Sequence, residues 1–208
     1  TTEAPTPNGV NGSFRITCKA SHMGFFDPIV YSNINGRSHL HVFFGNSDLT
    51  YNTNTGDLGN SSARSTCNGG TMNRSADWVP AVIDTAKGFP IVPIANGVYY
   101  KSAGGFYSGA GTLLITTPPD GLRMIAGDPT NTGTTNVRYR WDCKHVAGNI
   151  TNTLSMPGAE CENGSEVIMI VTFPSCWDGV NLDSPNHQSH MAYTDNATGC
   201  PSTHPVPI

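Results

Sequence analysis

The segment FPSCWDGVNLDSPNHQSHMAY at residues 173–193 concentrates side chains that could do chemistry. It follows an apolar stretch and contains Cys176. After this cysteine come aromatic, carboxylate and imidazole side chains: Trp177, Asp178, Asp183, His187, His190 and Tyr193. We expect Asp178 to act as a general acid or base, helped by the histidines. Trp177 and Tyr193 are expected to contact a sugar, because the apolar face of a sugar ring matches an aromatic ring. The alternative is that Trp177 belongs to the core and Asp183-Ser184-Pro185 is only a turn.

A second pair of imidazoles occurs in RSHLHVFF at residues 37–44, a pattern typical of a strand. His39 and His41 at i and i+2 would then share one face of that strand. They could complete the same catalytic pocket as Asp178. Alternatively, they line a ligand groove or form hydrogen bonds within the sheet.

Glycoside hydrolysis normally needs two carboxyl groups roughly 5–10 Å apart. Asp27 and Asp183 are the candidates to accompany Asp178, and both could also contact the substrate. Asp27 precedes Pro28, so it is either a turn initiator or a carboxylate of the site.

Metal binding is an alternative use of the same histidines. Two imidazoles on one strand face can hold an ion if a third ligand arrives from elsewhere. The set His39, His41 and His190 would suit copper or zinc in an oxidoreductase, with His187, His22 or His204 as other sources of the third ligand. The leading hypothesis requires no cofactor. The sequence has no GxSxG, P-loop, dinucleotide or HExxH motif.

The elements that position these groups are short strands separated by Gly- and Pro-rich turns. Alternating or β-branched patterns predict strands at 14–18, 37–44, 97–101, 112–116, 137–143 and 166–173. The last is continuously apolar, which predicts a central strand buried on both faces. We therefore predict an all-β, antiparallel β-sandwich or jelly roll with long loops. It would be a single domain over residues 13–208, after a flexible lead-in at 1–12.

Composition narrows the possible partners. Only 12% of the 208 residues are charged and the formal net charge is −4. No basic cluster is present to neutralise phosphates, so nucleic acid is not expected as a partner. The longest apolar run is too short to span a membrane. The lack of a basic groove also favours a neutral polysaccharide or oligosaccharide over a polyanion, and we expect a monomer.

The cysteines point to an oxidising compartment. There are six, with long spacings and no CxxC pair, which favours disulfides over a zinc site. Sequence order favours Cys176–Cys200 and Cys143–Cys161, which leaves Cys18–Cys67.

Six N-x-S/T sequons fit a secreted glycoprotein, and the start at Thr1 is typical of a processed mature end. The sequons are Asn11, Asn60, Asn73, Asn149, Asn163 and Asn196.

The chain also resembles a known family over residues 14–205. The resemblance rests on FPSCWDGVNLDSPNHQSHMAY and on CPSTHPVPI at 200–208, with SHLHVFFGN, DPIV, STC, SADWVP and YYK earlier in the chain. These motifs are similar to those of secreted fungal and actinobacterial proteins grouped as the domain-of-unknown-function family DUF1996. Asp77 departs from the pattern, which has an aromatic residue before the tryptophan. The resemblance implies an extracellular protein, often found with carbohydrate-binding or wall-associated modules, and brings no reaction with it.

Together these features favour a secreted carbohydrate-active enzyme that cleaves a neutral polysaccharide at a His- and Asp-lined pocket, in the manner of a glycoside hydrolase. Two alternatives stay open. One is the copper- or zinc-dependent oxidoreductase, and the other is a non-catalytic glycan-binding or cell-wall module.

Overall fold

The structure is a computed structural model. It describes residues 13–59, 62, 64–101, 115–127, 138–144, 149–158, 161, 164–195 and 199–208. The chain divides into two compact units, Thr1–Gly121 and Leu122–Ile208, and each is considered by itself. The prediction of one sandwich domain over 13–208 stays a prediction. The lead-in at 1–12 and most of the strand expected at 112–116 lie outside the described residues, as do four of the six sequon asparagines.

The first unit contains strands β1 to β7 and two single-turn helices. The strands are β1 (Ser13–Cys18), β2 (Ala20–Gly24), β3 (His41–Gly45), β4 (Ala76–Pro80), β5 (Ile83–Asp84), β6 (Phe89–Pro90) and β7 (Asn96–Lys101). The helices are α1 (Thr55–Leu58) and a 3-10 turn (Gly70–Met72). All strand pairs are antiparallel: β2-β3-β4 form one sheet, β1 pairs with β7, and β5 pairs with β6.

The central strand β3 divides the core of this unit into two clusters. Val42 and Phe44 pack with the Cys18–Cys67 disulfide on one face. On the other face Phe43 packs against Phe26 and Leu49. This division follows from the two-residue period of a strand. His41 therefore lies on the same face as Phe43, and all five residues of β3 are buried.

The second unit contains strands β8 to β13, again antiparallel. They are β8 (Tyr139–Lys144), β9 (Asn149–Thr153), β10 (Glu166–Val171), β11 (Cys176–Trp177), β12 (Met191–Ala192) and β13 (Val206–Pro207). One sheet has the order β10-β8-β9 and the other β12-β11-β13. Disulfides Cys143–Cys161 and Cys176–Cys200 each fix one of these sheets to a neighbouring loop.

The antiparallel all-β class and the three disulfides confirm the sequence prediction, and no cysteine is free. Such bonds are stable in an oxidising environment. In the part of the chain that the structure describes, no helix has the length and apolar character needed to cross a bilayer.

Two details of the strand predictions were wrong. The apolar strand β10 was expected at the centre of a sheet, but it lies at one end of the order β10-β8-β9, and Val167 is exposed. The strand expected over 37–44 begins only at His41. Its partner β4 ends opposite, at Pro80, and beyond that pair the structure has one further backbone hydrogen bond, from the amide of Ala81 to the carbonyl of Leu40 at 2.9 Å. His39 therefore precedes the strand.

Candidate functional site

The residues between β11 and β12 form a loop, 178–190, that is held at both ends. β11 pairs with both β12 and β13, and Cys176 is bonded to Cys200. The backbone amide of Asp178 donates to the carbonyl of His190, 3.0 Å away, so the first and last residues of the loop meet. Because both ends of the loop are fixed, its polar side chains are held at defined positions on the surface.

Asp178 anchors the first turn of this loop. Its Oδ1 accepts hydrogen bonds from the amides of Val180 and Asn181, both at 2.9 Å, and its Oδ2 accepts one from Asn181 Nδ2 at 2.7 Å. Burial alone would raise the pKa of Asp178, but these hydrogen bonds outweigh it and lower the pKa. The carboxylate is thus ionised and already bound to its neighbours. Its role as an acid or base stays a prediction, while its contacts are those of a loop anchor.

The two aromatic residues expected to contact sugar are also tied to the backbone. Trp177 Nε1 donates to the carbonyl of Asn181 at 2.6 Å, which closes the same turn as Asp178. Tyr193 donates its hydroxyl hydrogen to the carbonyl of Thr172, and its ring faces the guanidinium of Arg138 at 3.9 Å from the ring centroid. Both residues are partly exposed.

Asp183 and His187 form a carboxylate–imidazole pair at the far end of the loop. His187 Nδ1 donates to Asp183 Oδ1 at 2.9 Å. Arg123 contacts the other carboxylate oxygen, with its Nη1 3.2 Å from Oδ2. Each of the three side chains is about a quarter exposed (28%, 27% and 25% for His187, Asp183 and Arg123).

The charge state of Asp183 follows from these contacts. Burial alone would raise its pKa, but the hydrogen bond from His187, the amide of Ser184 and the positive charge of Arg123 together lower it. An ionised Asp183 accepts the Nδ1 hydrogen of His187 and leaves Nε2 as the ring nitrogen that can exchange a proton with a bound molecule. The backbone of His187 has φ = +58°, an uncommon conformation for a residue other than glycine. Such conformations often mark functional positions.

His190 is the last residue of the loop and is only 1% exposed. Its Nε2 donates to the carbonyl of Arg123 at 2.6 Å, and its Nδ1 accepts from the hydroxyl of Ser184 at 3.0 Å. Both ring nitrogens are therefore used within the protein. In this arrangement His190 holds Arg123 and Ser184 in place next to the Asp183–His187 pair.

The first unit carries the other predicted residues in an imidazole–aromatic cluster. His41, 4% exposed, donates from Nδ1 to the carbonyl of Phe26 at 2.8 Å. Burial lowers the pKa of His41, and the neighbouring His39 lowers it further. The rings of His39 and His41 meet edge to face, 4.4 Å between centroids, and His41 also contacts the edge of Phe43. The two imidazoles therefore meet, as the spacing predicted, although His39 is outside the strand and exposed.

Asp27 is buried below this cluster and closes a turn. Its Oδ1 accepts from the amides of Ile29 and Val30, at 2.9 and 2.8 Å, and its Oδ2 accepts from Trp78 Nε1 at 3.2 Å. This is the turn-initiating geometry that the sequence left open. His22 stacks on Phe43, 4.8 Å between centroids, and burial lowers its pKa.

The copper or zinc set His39, His41 and His190 stays a prediction, although both ring nitrogens of His190 are hydrogen-bonded in this structure. A histidine ligand needs one ring nitrogen free to bind the ion, and His190 has none. Among the described residues, no group of three or more His, Cys, Asp or Glu side chains is placed to hold a metal ion.

The second unit thus brings together Asp178, Asp183, His187 and His190, and the first brings together Asp27, His39 and His41. Sequence reasoning missed Arg123 and the anchoring role of Asn181. The spacing of Asp183 and His187, four residues apart across Ser-Pro, was the available signal for their pairing, because a turn brings such positions together.

These features define a class of protein: disulfide-bonded, antiparallel and all-β, with a closed loop that bears carboxylate and imidazole groups. A family model described as Domain of unknown function (DUF1996) matches residues 27–208, most of the chain. The chain belongs to this family, as its motifs indicated. No curated protein and no solved structure matches it.

Proposed function

We propose that this protein is a secreted enzyme that cleaves a glycan, with His187 as the group that transfers the proton. The observation that carries the proposal is the Asp183–His187 pair: an ionised carboxylate accepts the Nδ1 hydrogen and leaves Nε2 available beside the loop surface. Imidazole held in one tautomer by a carboxylate is a common arrangement for general acid–base catalysis.

The neighbouring residues position His187. Asp183 orients His187 and stabilises the imidazolium that forms when Nε2 takes a proton. Arg123 fixes Asp183 from the opposite oxygen, and His190 fixes the backbone of Arg123. Trp177, the sugar-contacting residue expected from the sequence, is the last residue of β11, immediately before the same loop. The substrate expected from composition is a neutral polysaccharide.

Secretion and glycan cleavage have separate support. Three disulfides that use all six cysteines fit an extracellular protein. A glycan is supported by the ionised side chains of the disulfide-held loop and by the partly exposed aromatic residues that flank it, Trp177 and Tyr193.

The test is cleavage of a panel of neutral polysaccharides, followed by release of reducing ends and mass spectrometry of the products. The wild-type protein should release products from at least one polymer, and His187→Gln should reduce the rate by about 10²–10⁴-fold. His204→Gln is the matched control. His204 lies outside the loop; its Nδ1 is hydrogen-bonded to the hydroxyl of Thr203 and its Nε2 donates to the carbonyl of Ser189.

Two results would overturn the proposal. Normal cleavage by His187→Gln would place the chemistry elsewhere. Saturable binding of a polysaccharide without products from the wild-type protein would make the chain a glycan-binding module.

A further inference from the structure

A shallow depression opens on the face shared by β8 and β10. It has a volume of about 240 Å³ and is lined by Arg138, Tyr139, Arg140, Ile170 and Thr172. Ligand pockets for drug-sized molecules are usually ~300–1,000 Å³, so this space suits a single small unit. It lies within the second unit and shares no residue with the Asp183–His187 pair.

Strand register explains why two guanidinium groups occur together here. Arg140 is directly opposite Ile170, and the amide of Thr172 donates to the carbonyl of Arg138 at 2.8 Å. Residues two apart on a strand project to one face, as do residues directly opposite each other. Arg138 and Arg140 therefore share a face with Ile170 and Thr172.

The two guanidinium groups differ in their partners. Arg140 Nε lies 3.6 Å from Asp142 Oδ1, an ion pair longer than a hydrogen bond, and this Nε is buried without a hydrogen-bond partner. Arg138 lies over the ring of Tyr193. No carboxylate pairs with Arg138 among the residues that the structure describes. Two positive charges against one negative charge leave the depression with a net charge of about +1 at neutral pH.

We propose that this depression binds the carboxylate of a single sugar acid unit. A guanidinium donates two parallel hydrogen bonds to a carboxylate, and one monoanion balances the net charge. Ile170 offers an apolar surface to the carbon face of a sugar ring, and the hydroxyl group of Thr172 can bind one of its hydroxyls.

This proposal refines the expectation of a neutral polymer. A polyanion would need a long basic groove, which the sequence lacks. Two arginines recognise one acidic unit, such as a terminal or branching residue of an otherwise neutral glycan. The proposal does not depend on proton transfer by His187, because binding is measured without turnover.

The test is NMR titration of isotope-labelled protein with D-glucuronate, D-glucose and acetate at equal ionic strength. Glucuronate should give saturable shifts at Ile170 and Thr172, and glucose and acetate should bind at least about 10-fold more weakly. The double variant Arg138→Gln/Arg140→Gln should lose the saturable shifts. Arg64→Gln, at a highly exposed arginine of the first unit, is the matched control and should bind normally.

A second variant keeps the test decisive if the double variant does not fold. Arg138→Lys retains the charge over Tyr193 but loses the two-pronged geometry, so its affinity for glucuronate should fall severalfold. Absence of saturable glucuronate binding to the wild-type protein would overturn the proposal. So would equal binding of acetate, equal binding of glucose, or unchanged affinity in Arg138→Lys.

Discussion

His187 Nδ1 lies 2.9 Å from Asp183 Oδ1, while Arg123 contacts the other oxygen of the same carboxylate at 3.2 Å. The carboxylate is thus held from both sides, and the imidazole can rotate only by breaking this hydrogen bond. The αL backbone of His187 is part of the same turn, since its amide donates to the carbonyl of Ser184 at 2.8 Å. The turn and the ion pair together set the direction of Nε2.

Replacing Asp183 with asparagine should reduce glycan cleavage by about 10²–10⁴-fold, because the amide no longer stabilises an imidazolium or fixes its tautomer. The measurement is the cleavage rate, together with ¹⁵N NMR of the His187 ring to report the tautomer. Asp120→Asn changes an exposed carboxylate and should leave both unchanged. An Asp183→Asn variant with normal rate and an altered tautomer would show that the pair is structural.

Asp178→Asn should chiefly affect stability. The asparagine can keep the two bonds from the amides of Val180 and Asn181, but its NH₂ group would face the NH₂ group of Asn181. We expect a loss of about 0.5–1.5 kcal/mol in the free energy of unfolding, measured by denaturant titration. The acid–base role expected from the sequence predicts the reverse: lost cleavage with unchanged stability.

The same contacts set a pH dependence. Folding lowers the pKa of both Asp178 and Asp183, so their stabilising contribution is present above the unfolded-state pKa and is lost as pH falls through the folded-state values. The melting temperature of the wild-type protein should therefore fall on acidification. The fall should be smaller in Asp178→Asn.

Asp77 predicts a pH effect of opposite sign. Burial raises its pKa to about 6, and its Oδ2 has no hydrogen-bond partner. The protonated carboxyl fits the fold, so this contribution is present below the unfolded-state value of 3.8 and is lost as pH rises through about 6. Asp77→Asn should therefore stabilise the protein by up to about 3 kcal/mol at pH ~8 and have little effect at pH ~4. Equal effects at both pH values in denaturant titrations would contradict this, and Asp120→Asn is the control.

Gly45 is the last residue of β3, and its backbone favours glycine. Its φ is +82°, and an added Cβ would lie 2.2 Å from the carbonyl oxygen of Ser75. Gly45→Ala should cost about 3 kcal/mol from the left-handed backbone and the overlap together. Gly36→Ala has φ = +74° but open space around the Cβ, so it should cost only about 1 kcal/mol. Similar losses for the two variants in thermal unfolding would exclude the overlap with Ser75.

Local signals predicted a large part of the fold. Cysteine order gave the three disulfide pairs, and alternation predicted the strands around Phe14 and Tyr99, which pair as β1 and β7. The neighbours of β10 could not be predicted, because an apolar run indicates a strand without indicating what covers it. Nor could the start of β3 at His41, which depends on where the distant β4 ends.

The sequence indicated which residues gather at the candidate site but not which of them pair with each other. Residue types and density located the loop at 178–190 and named Asp183 and His187. The sequence could not show that Asp178 is satisfied by Asn181, since both are short polar side chains in a turn. The ion pair of Arg123 with Asp183 spans 60 residues, and such long-range pairing leaves no local pattern.

Chemical rescue of His187→Gly is the most direct test of proton transfer by His187. Glycine adopts the φ of +58° without strain, so the fold should persist, while the proton-transfer group is removed. If His187 transfers the proton, cleavage should fall by about 10²–10⁴-fold and added imidazole should restore part of it, with no effect of imidazole on the wild-type protein. A folded His187→Gly variant that cleaves normally, or whose lost activity imidazole does not restore, would contradict proton transfer by His187.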